Sequence, residues 1–167
     1  MNESATHTEF VGPKIAVQKV SISQFFVDEL VHQEGKQELT LSINQKSSFD
    51  GDTNIAKIYL SFTYAYKETE VKVSEITVMN AFIIEELKSY LYKNDSSKII
   101  LPRPTLVILV SIALSHTRAL FSHSIAGSLF AEEMPLVIFD PVAVANVIFP
   151  EIKPTIRKTR KIKENKQ

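Results

Sequence analysis

The nine residues Leu106–Leu114, LVILVSIAL, contain a single polar side chain, Ser111. They follow LPRP, in which Pro104 suits the first turn of a helix, so the spacing predicts a long helix from about that point. Its polar residues, Ser111, Ser115, Arg118 and Ser122, recur at steps of four, three and four, a stripe confined to the second half. Ahead of Ser111 every side is apolar, and a helix that is dry all round has to be covered on more than one side. Arg103 and Arg118 bracket about fourteen residues, short of the ~20 that cross a bilayer, so a buried helix is expected and no membrane span.

The chain ahead of that helix is β-like. In KIAVQKVSISQFFVDEL, Ile15 and Val17 alternate with other residues and then Val20 and Ile22 continue in the opposite phase, which predicts a bulge. ELTLSINQ puts Leu39, Leu41 and Ile43 on one face, and SSFDGDTN is turn-forming around Asp50-Gly51. AKIYLSFTYAYKE sets Ile58, Leu60, Phe62, Tyr64 and Tyr66 against Tyr59, Ser61, Thr63 and Ala65. After YKETEV comes VKVSEITVMNAFII, and short links among the last three strands predict an antiparallel meander. In FIIEELKSYLYKN a helical face (Ile83, Leu87, Tyr90, Leu91) competes with continued strand alternation through Phe82 and Ile84. YKNDSSK reads as a loop. Near the end, Asp140 can cap a short helix that has Pro141 in its first turn and stops at Pro150.

The expected fold is therefore α+β: a four-stranded antiparallel sheet backed by a long helix and a short C-terminal helix. The organisation expected is a mobile segment 1–12, one domain over 13–150 and a basic tail 151–167. One small sheet covers only one side of the long helix. Its other side is expected to meet another copy through Leu106, Val107, Leu109, Val110 and Leu114, most simply across a two-fold axis.

Composition narrows the chemistry. There are 19 basic and 19 acidic side chains and no cysteine. No global field steers the chain toward nucleic acid or an anionic membrane, and thiolate metal sites and cysteine nucleophiles are excluded. The lack of cysteine is compatible with a reducing cytoplasm, and MNESATHTEF has neither the basic start nor the apolar core of a secretion signal, so a cytoplasmic location is expected. With only 4 glycines there is no GxGxxG and no P-loop. His116 and His123 stand about two helical turns apart without a third ligand in sight, so no metal or other cofactor is expected. Glu85-Glu86 and Glu132-Glu133 read as solvated, no Ser-His-Asp arrangement stands out, and the chain is not expected to be an enzyme. Seven Lys or Arg residues stand against two Glu in 151–167; without aromatics to stack on bases, specific nucleic-acid recognition is not expected.

Three strings, in colinear order over roughly 15–149, resemble the SecB family of export chaperones. VQKVSISQFFVD resembles the family's opening strand at Val17, Gln18, Lys19, Val20, Val27 and Asp28; IILPRP resembles the lead-in to its long helix; MPLVIFDPVAVANVIF is similar to its Phe-Pro, apolar run and final short helix. The resemblance implies a homotetramer built as a dimer of dimers and a client groove, here mapping to Phe25, Val27, Leu30, Val144, Val147 and Phe149. It also implies docking of the export ATPase SecA through an acidic sheet surface and tail. The neutral charge and basic tail of this chain depart from that, and the stretch between Pro102 and Pro135 is about twice the family length, with SHSIAGSLFAEE as extra sequence.

Three functions follow as expectations. The first is an ATP-independent holdase that binds unfolded or exported polypeptides. The second is an interaction module of the same fold dedicated to one partner, such as an antitoxin-associated chaperone or a secretion component. The third is a small-ligand-binding or enzymatic domain that uses the interior of the sheet–helix sandwich.

Overall fold

The computed structural model describes residues 12–31, 38–92, 95–134 and 136–150, so the N-terminal segment (except Gly12) and the basic tail lie outside the described residues. Strands β1 (Ile15–Val27), β2 (Leu39–Asp50), β3 (Ile55–Tyr66) and β4 (Lys72–Ile84) form one antiparallel sheet in the order β1-β4-β3-β2. The last three strands are the expected meander, and β1 crosses over to pair with β4. The change of phase in β1 is the register slip between Val17 and Lys19, and a second slip follows between Ile22 and Gln24. One slip re-aims the side chains that follow, which is how a strand with two hydrophobic phases keeps both against one face.

β2 runs five residues beyond ELTLSINQ, pairing Ser47 with Ile58 and Phe49 with Ala56. It ends where the Asp50 carboxylate accepts the amides of Asp52 (3.0 Å) and Thr53 (3.3 Å). A Cβ on Gly51 would lie 2.9 Å from Leu91 Cδ1 and 3.0 Å from Lys88 Cα, so the turn closes only with glycine there. The contest in FIIEELKSYLYKN resolves in favour of the strand: β4 continues to Ile84, Glu86 turns the chain at φ 54°, and Leu87–Tyr90 is one 3-10 turn. Asn54, itself at φ 58°, accepts the Leu87 amide at 3.0 Å. A left-handed conformation is costly for a side chain with a Cβ and free for glycine. Glu86→Gly is therefore expected to raise stability by about 0.5–1 kcal/mol, read as a higher urea midpoint at unchanged slope. YKNDSSK is not a simple loop, because its backbone contributes to a short hairpin, β5 (Leu91–Tyr92) with β6 (Asp95–Ile99).

Helix α1 (Arg103–Ile125) follows, with Pro104 in its first turn, and α2 (Pro141–Ile148) closes the described chain. Asp140 caps α2 as expected, its carboxylate accepting the Val142 amide at 2.9 Å. Ile58, Leu60, Phe62, Tyr64 and Tyr66 form the buried row of β3 and meet α1 and the chain that follows it. Tyr64 stacks on Phe121 at 5.2 Å between ring centroids and Phe62 tilts against Phe139 at 5.7 Å.

The oligomer interface expected from the sequence is corrected here. Leu106, Leu109, Val110 and Leu114 are buried within the single chain and Val107 is half-buried. The expectation treated the sheet as the only cover. In the structure the same chain returns: Phe130, Met134, Phe139 and α2 join the core, and Arg103 of α1 donates to the Phe149 carbonyl (3.0 Å) and to the Asn146 side-chain oxygen. What α1 leaves open is a narrower stripe of Pro104, Ile108, Ser115 and Ala119, edged by half-buried Ser111, Ile112 and Ser122. By length and composition α1 is apolar enough to cross a membrane. Its apolar side is occupied instead, with Leu109, Val110, Ala113 and Phe121 fully enclosed.

Candidate client-binding surface

Exposed apolar side chains gather in three places. The first is the chain between the two helices and the outer side of α2. Leu136, Val137 and Ile138 follow one another outside any helix or strand, Ile138 is 81% exposed, and on α2 Val142 and Val147 are 48% and 82% exposed. Local anchors hold it in place: the Phe139 ring on Phe62 behind it and the Asp140 cap after it. The second is a corner where Leu30 is 97% exposed beside Leu129, since the Glu29 carboxylate accepts the Leu129 amide at 3.0 Å; Phe25 lies near the same end of β1. The third is the inner face of β1. Val17 and Ile22 stay exposed there because β1 is an edge strand and α1 lies chiefly over β3 and β4.

These patches place the client residues expected from the sequence. Phe25, Leu30 and Val147 are exposed, while Val27, Val144 and Phe149 are half-buried against the core. The six do not converge on one groove. Phe149 packs on Phe49 at 6.4 Å, and Phe49 heads a row through Ala56 and Phe82 to Val17. Phe25 pairs with Ile76, six residues further along β4. At ~3.3 Å per residue and ~4.8 Å per strand, the two groups stand about 20 Å apart along the strands and about 14 Å across them. They occupy opposite corners.

The sequence reading missed Leu129 and Leu136–Ile138. A continuous apolar run after a proline reads as core, and it did contribute one core residue, Phe139. The available signal was that LVIF is strand-like while no fifth strand was assigned to pair with it. An extended segment without a partner strand has one side uncovered.

The other face of the sheet is of a different kind. Thr40, Ser42, Ser61, Thr63 and Thr77 line it, with Ser61 and Thr77 hydrogen-bonded at 2.7 Å, Thr40 donating to Ala65 O and Ser42 to Thr63 O. Within the strands its charges are Lys19, Lys46 and Lys57 against Asp50 and Glu75, the latter tied to Lys72 at 2.5 Å and accepting from Thr63. This face is not the acidic surface that the resemblance implies for SecA docking. His116 hydrogen-bonds through Nδ1 to Asn80 Oδ1 at 2.8 Å inside the fold, whereas His123 faces out. Among the described residues no three potential metal ligands come together.

No protein-family model matches the chain, and no curated protein does. Among solved structures it is similar to the SecB-like chaperone of Mycobacterium tuberculosis in complex with a ChAD peptide from the HigA1 antitoxin, with a TM-score of 0.48 and 14% identity over 75% of this chain and 89% of that one. It is also similar to a protein of unknown function from Streptococcus agalactiae, with a TM-score of 0.39 and 12% identity over 77% of this chain and 98% of that one.

Proposed function

We propose that this chain is an ATP-independent holdase of the SecB type, cytoplasmic and oligomeric, that binds exposed apolar segments of unfolded or exported polypeptides. The observation that carries the reading is the run of exposed apolar side chains Leu136, Val137 and Ile138, consecutive in the chain and followed within nine residues by exposed Val142 and Val147, beside a fully packed core. Single exposed apolar residues are ordinary on protein surfaces, whereas such a concentration marks an interaction site. The three SecB-like strings support it, since they fall on β1, on the start of α1 and on the chain through α2. Client side chains buried on these patches gain about 25 cal/mol per Å² of apolar area. That attraction is non-directional, so many sequences are accepted, and ordering an extended client returns part of the gain, which keeps binding reversible. No catalytic group and no nucleotide enters.

Assembly belongs to the same proposal. The surface offered to a second copy is the outer stripe of α1, where Ser111, Ser115 and Ala119 permit close helix approach and Ile108 supplies apolar contact. A dimer of dimers predicts a solution mass by light scattering near four times 18.8 kDa; a monomer would remove the assembly from the proposal.

The deciding experiment is suppression of aggregation of a chemically unfolded client without nucleotide. Suppression near stoichiometric ratios is expected, and none at several-fold excess would refute the holdase. The dedicated-partner reading is favoured by the hydroxyl-lined, non-acidic open sheet face, which argues against SecA docking. It would be chosen by a pull-down that recovers one stoichiometric partner instead of many unfolded chains.

A further inference from the structure

Arg118 is half-buried on α1, and its Nε is closed off from solvent without a hydrogen-bond partner. No carboxylate of a described residue pairs with it. The other arginine of the helix, Arg103, is engaged by the Phe149 carbonyl and the Asn146 side chain. A guanidinium stays charged at any ordinary pH. Covering part of it without giving its N–H groups an acceptor is unfavourable, so a side chain held in this way gains more from an arriving anion than an exposed one does.

Helix geometry places Arg118 beside the exposed run that links the two helices. At about 100° per residue, Arg103, Val107, Leu114 and Arg118 share one flank of α1, roughly 60° wide. Arg103 shows what that flank faces, since it bonds the end of α2. Along its axis α1 keeps step with β3. Arg103 reaches Phe149, which packs on Phe49 opposite Ala56, and Phe121 stacks on Tyr64. Arg118 comes three residues before Phe121, about 4.5 Å back along the helix, and so lies level with the stretch from Tyr64 to Phe62. Phe62 is where Phe139 packs, with Ile138 immediately before it. Arg118 therefore stands abreast of Ile138 and Phe139, on the flank of α1 that they occupy.

That neighbour is open in two respects. Leu136, Val137 and Ile138 expose their side chains, Ile138 by 81%. From Leu136 to Asp140 the chain has no turn, bend or ladder, and no hydrogen bond ties the main chain of Leu136, Val137, Ile138 or Phe139 to another described residue. Apolar side chains, unpaired N–H and C=O groups and an unmatched cation thus lie together. An extended polypeptide with a carboxylate among apolar residues complements all three. Its main chain pairs along the run, its apolar side chains cover those of Leu136–Ile138, and its carboxylate accepts two parallel N–H bonds from the guanidinium.

We propose that Arg118 is a specificity-determining residue of this surface, selecting client segments in which an aspartate or glutamate stands among apolar residues. The inference rests on the reading that polypeptides bind at Leu136–Ile138. It adds a preference of charge that non-directional apolar burial does not supply.

The test is the binding, by fluorescence anisotropy, of a labelled nonapeptide of alternating serine and leucine with a central aspartate. The same peptide with asparagine at the centre is the comparison. The unaltered chain should bind the aspartate peptide at least about tenfold more tightly, a ratio that 0.5 M salt reduces. Arg118→Gln should bring the ratio close to one at an unchanged urea midpoint. Arg118→Lys should keep part of it, because it retains the charge and loses the planar fork. Equal binding of the two peptides by the unaltered chain would overturn the proposal, as would a ratio that survives Arg118→Gln; either result leaves the holdase standing if aggregation of an apolar client is still suppressed. Failure of both peptides to bind at millimolar concentration would overturn it together with the assignment of Leu136–Ile138 as a polypeptide site. A fall in the solution mass of Arg118→Gln with peptide binding unchanged would overturn it by assigning Arg118 to a contact between copies.

Discussion

Phe121→Ala is expected to cost about 3–5 kcal/mol, a large share of the ~5–15 kcal/mol that holds a typical domain folded. Phe121 is fully enclosed and its ring lies nearly parallel to Tyr64, 10° between planes at 5.2 Å. Removing it opens a cavity at the contact between α1 and the centre of the sheet and also forfeits the aromatic pairing, about 0.5–1.5 kcal/mol beyond area burial. Tyr64 is itself only 2% exposed, and that burial pushes its phenol above its ordinary pKa. Ile108→Ala, on the same helix but 42% exposed, is expected to cost under ~1 kcal/mol when the chain unfolds as a monomer. The two urea midpoints separate the core face of α1 from its outer stripe. If Ile108→Ala proves as damaging as Phe121→Ala, the stripe is covered in the folded species, and the covering agent is another copy.

That contrast also shows where sequence reasoning about α1 stopped. The polar stripe of the second half was readable from Ser111, Ser115, Arg118 and Ser122, and the structure leaves Ser115 exposed and the other three half-buried. The first half was readable only as needing cover. Whether cover comes from another chain or from the same chain folding back is a question of tertiary contact. Here the returning chain provides it, with α2 lying against α1 and Arg103 donating to the Phe149 carbonyl, and a contact between elements far apart in sequence leaves no local period to read. The strands were legible because alternation survives in them: the row from Ile58 to Tyr66 reads inward without a break, and the first slip of β1, between Val17 and Lys19, was visible as a change of phase, while the second, between Ile22 and Gln24, was not. The hairpin of β5 and β6 was not legible, because two paired residues at one end leave no period to detect. For the candidate site, the sequence placed Phe25, Leu30 and Val147 at the surface through a family resemblance, yet could not say that they lie at opposite corners. Strand order and register decide that, and both are long-range pairings.

Ile138→Ser combined with Val147→Ser is expected to weaken the holding of unfolded clients by about 30-fold to several-hundred-fold. Each side chain, 81% and 82% exposed in the free chain, offers its whole apolar surface for burial by a client. Losing the pair removes about 2–4 kcal/mol of transfer free energy, at 1.4 kcal/mol per tenfold. Because neither contributes to the core, stability should stay within ~0.5 kcal/mol, and an unchanged urea curve separates lost binding from lost folding. Leu30→Ser tests how a client spans the surface. Val147, beside Phe149, stands about 25 Å from Phe25, which an extended chain bridges with about eight residues at ~3.3 Å each, whereas Ile138 precedes Phe139, whose ring packs on Phe62 in the row Phe25–Ile76–Phe62, about 10 Å from Phe25. A client long enough to reach from Val147 to Leu30 loses further affinity in the Leu30 variant, because a second attachment is removed. A peptide of four or five residues bound at Val147 should be indifferent to Leu30. Undiminished client holding by the Ile138 and Val147 double variant would deny the α2 patch its role and leave the Leu30–Leu129 corner and the exposed inner face of β1 as the surfaces a client has to use.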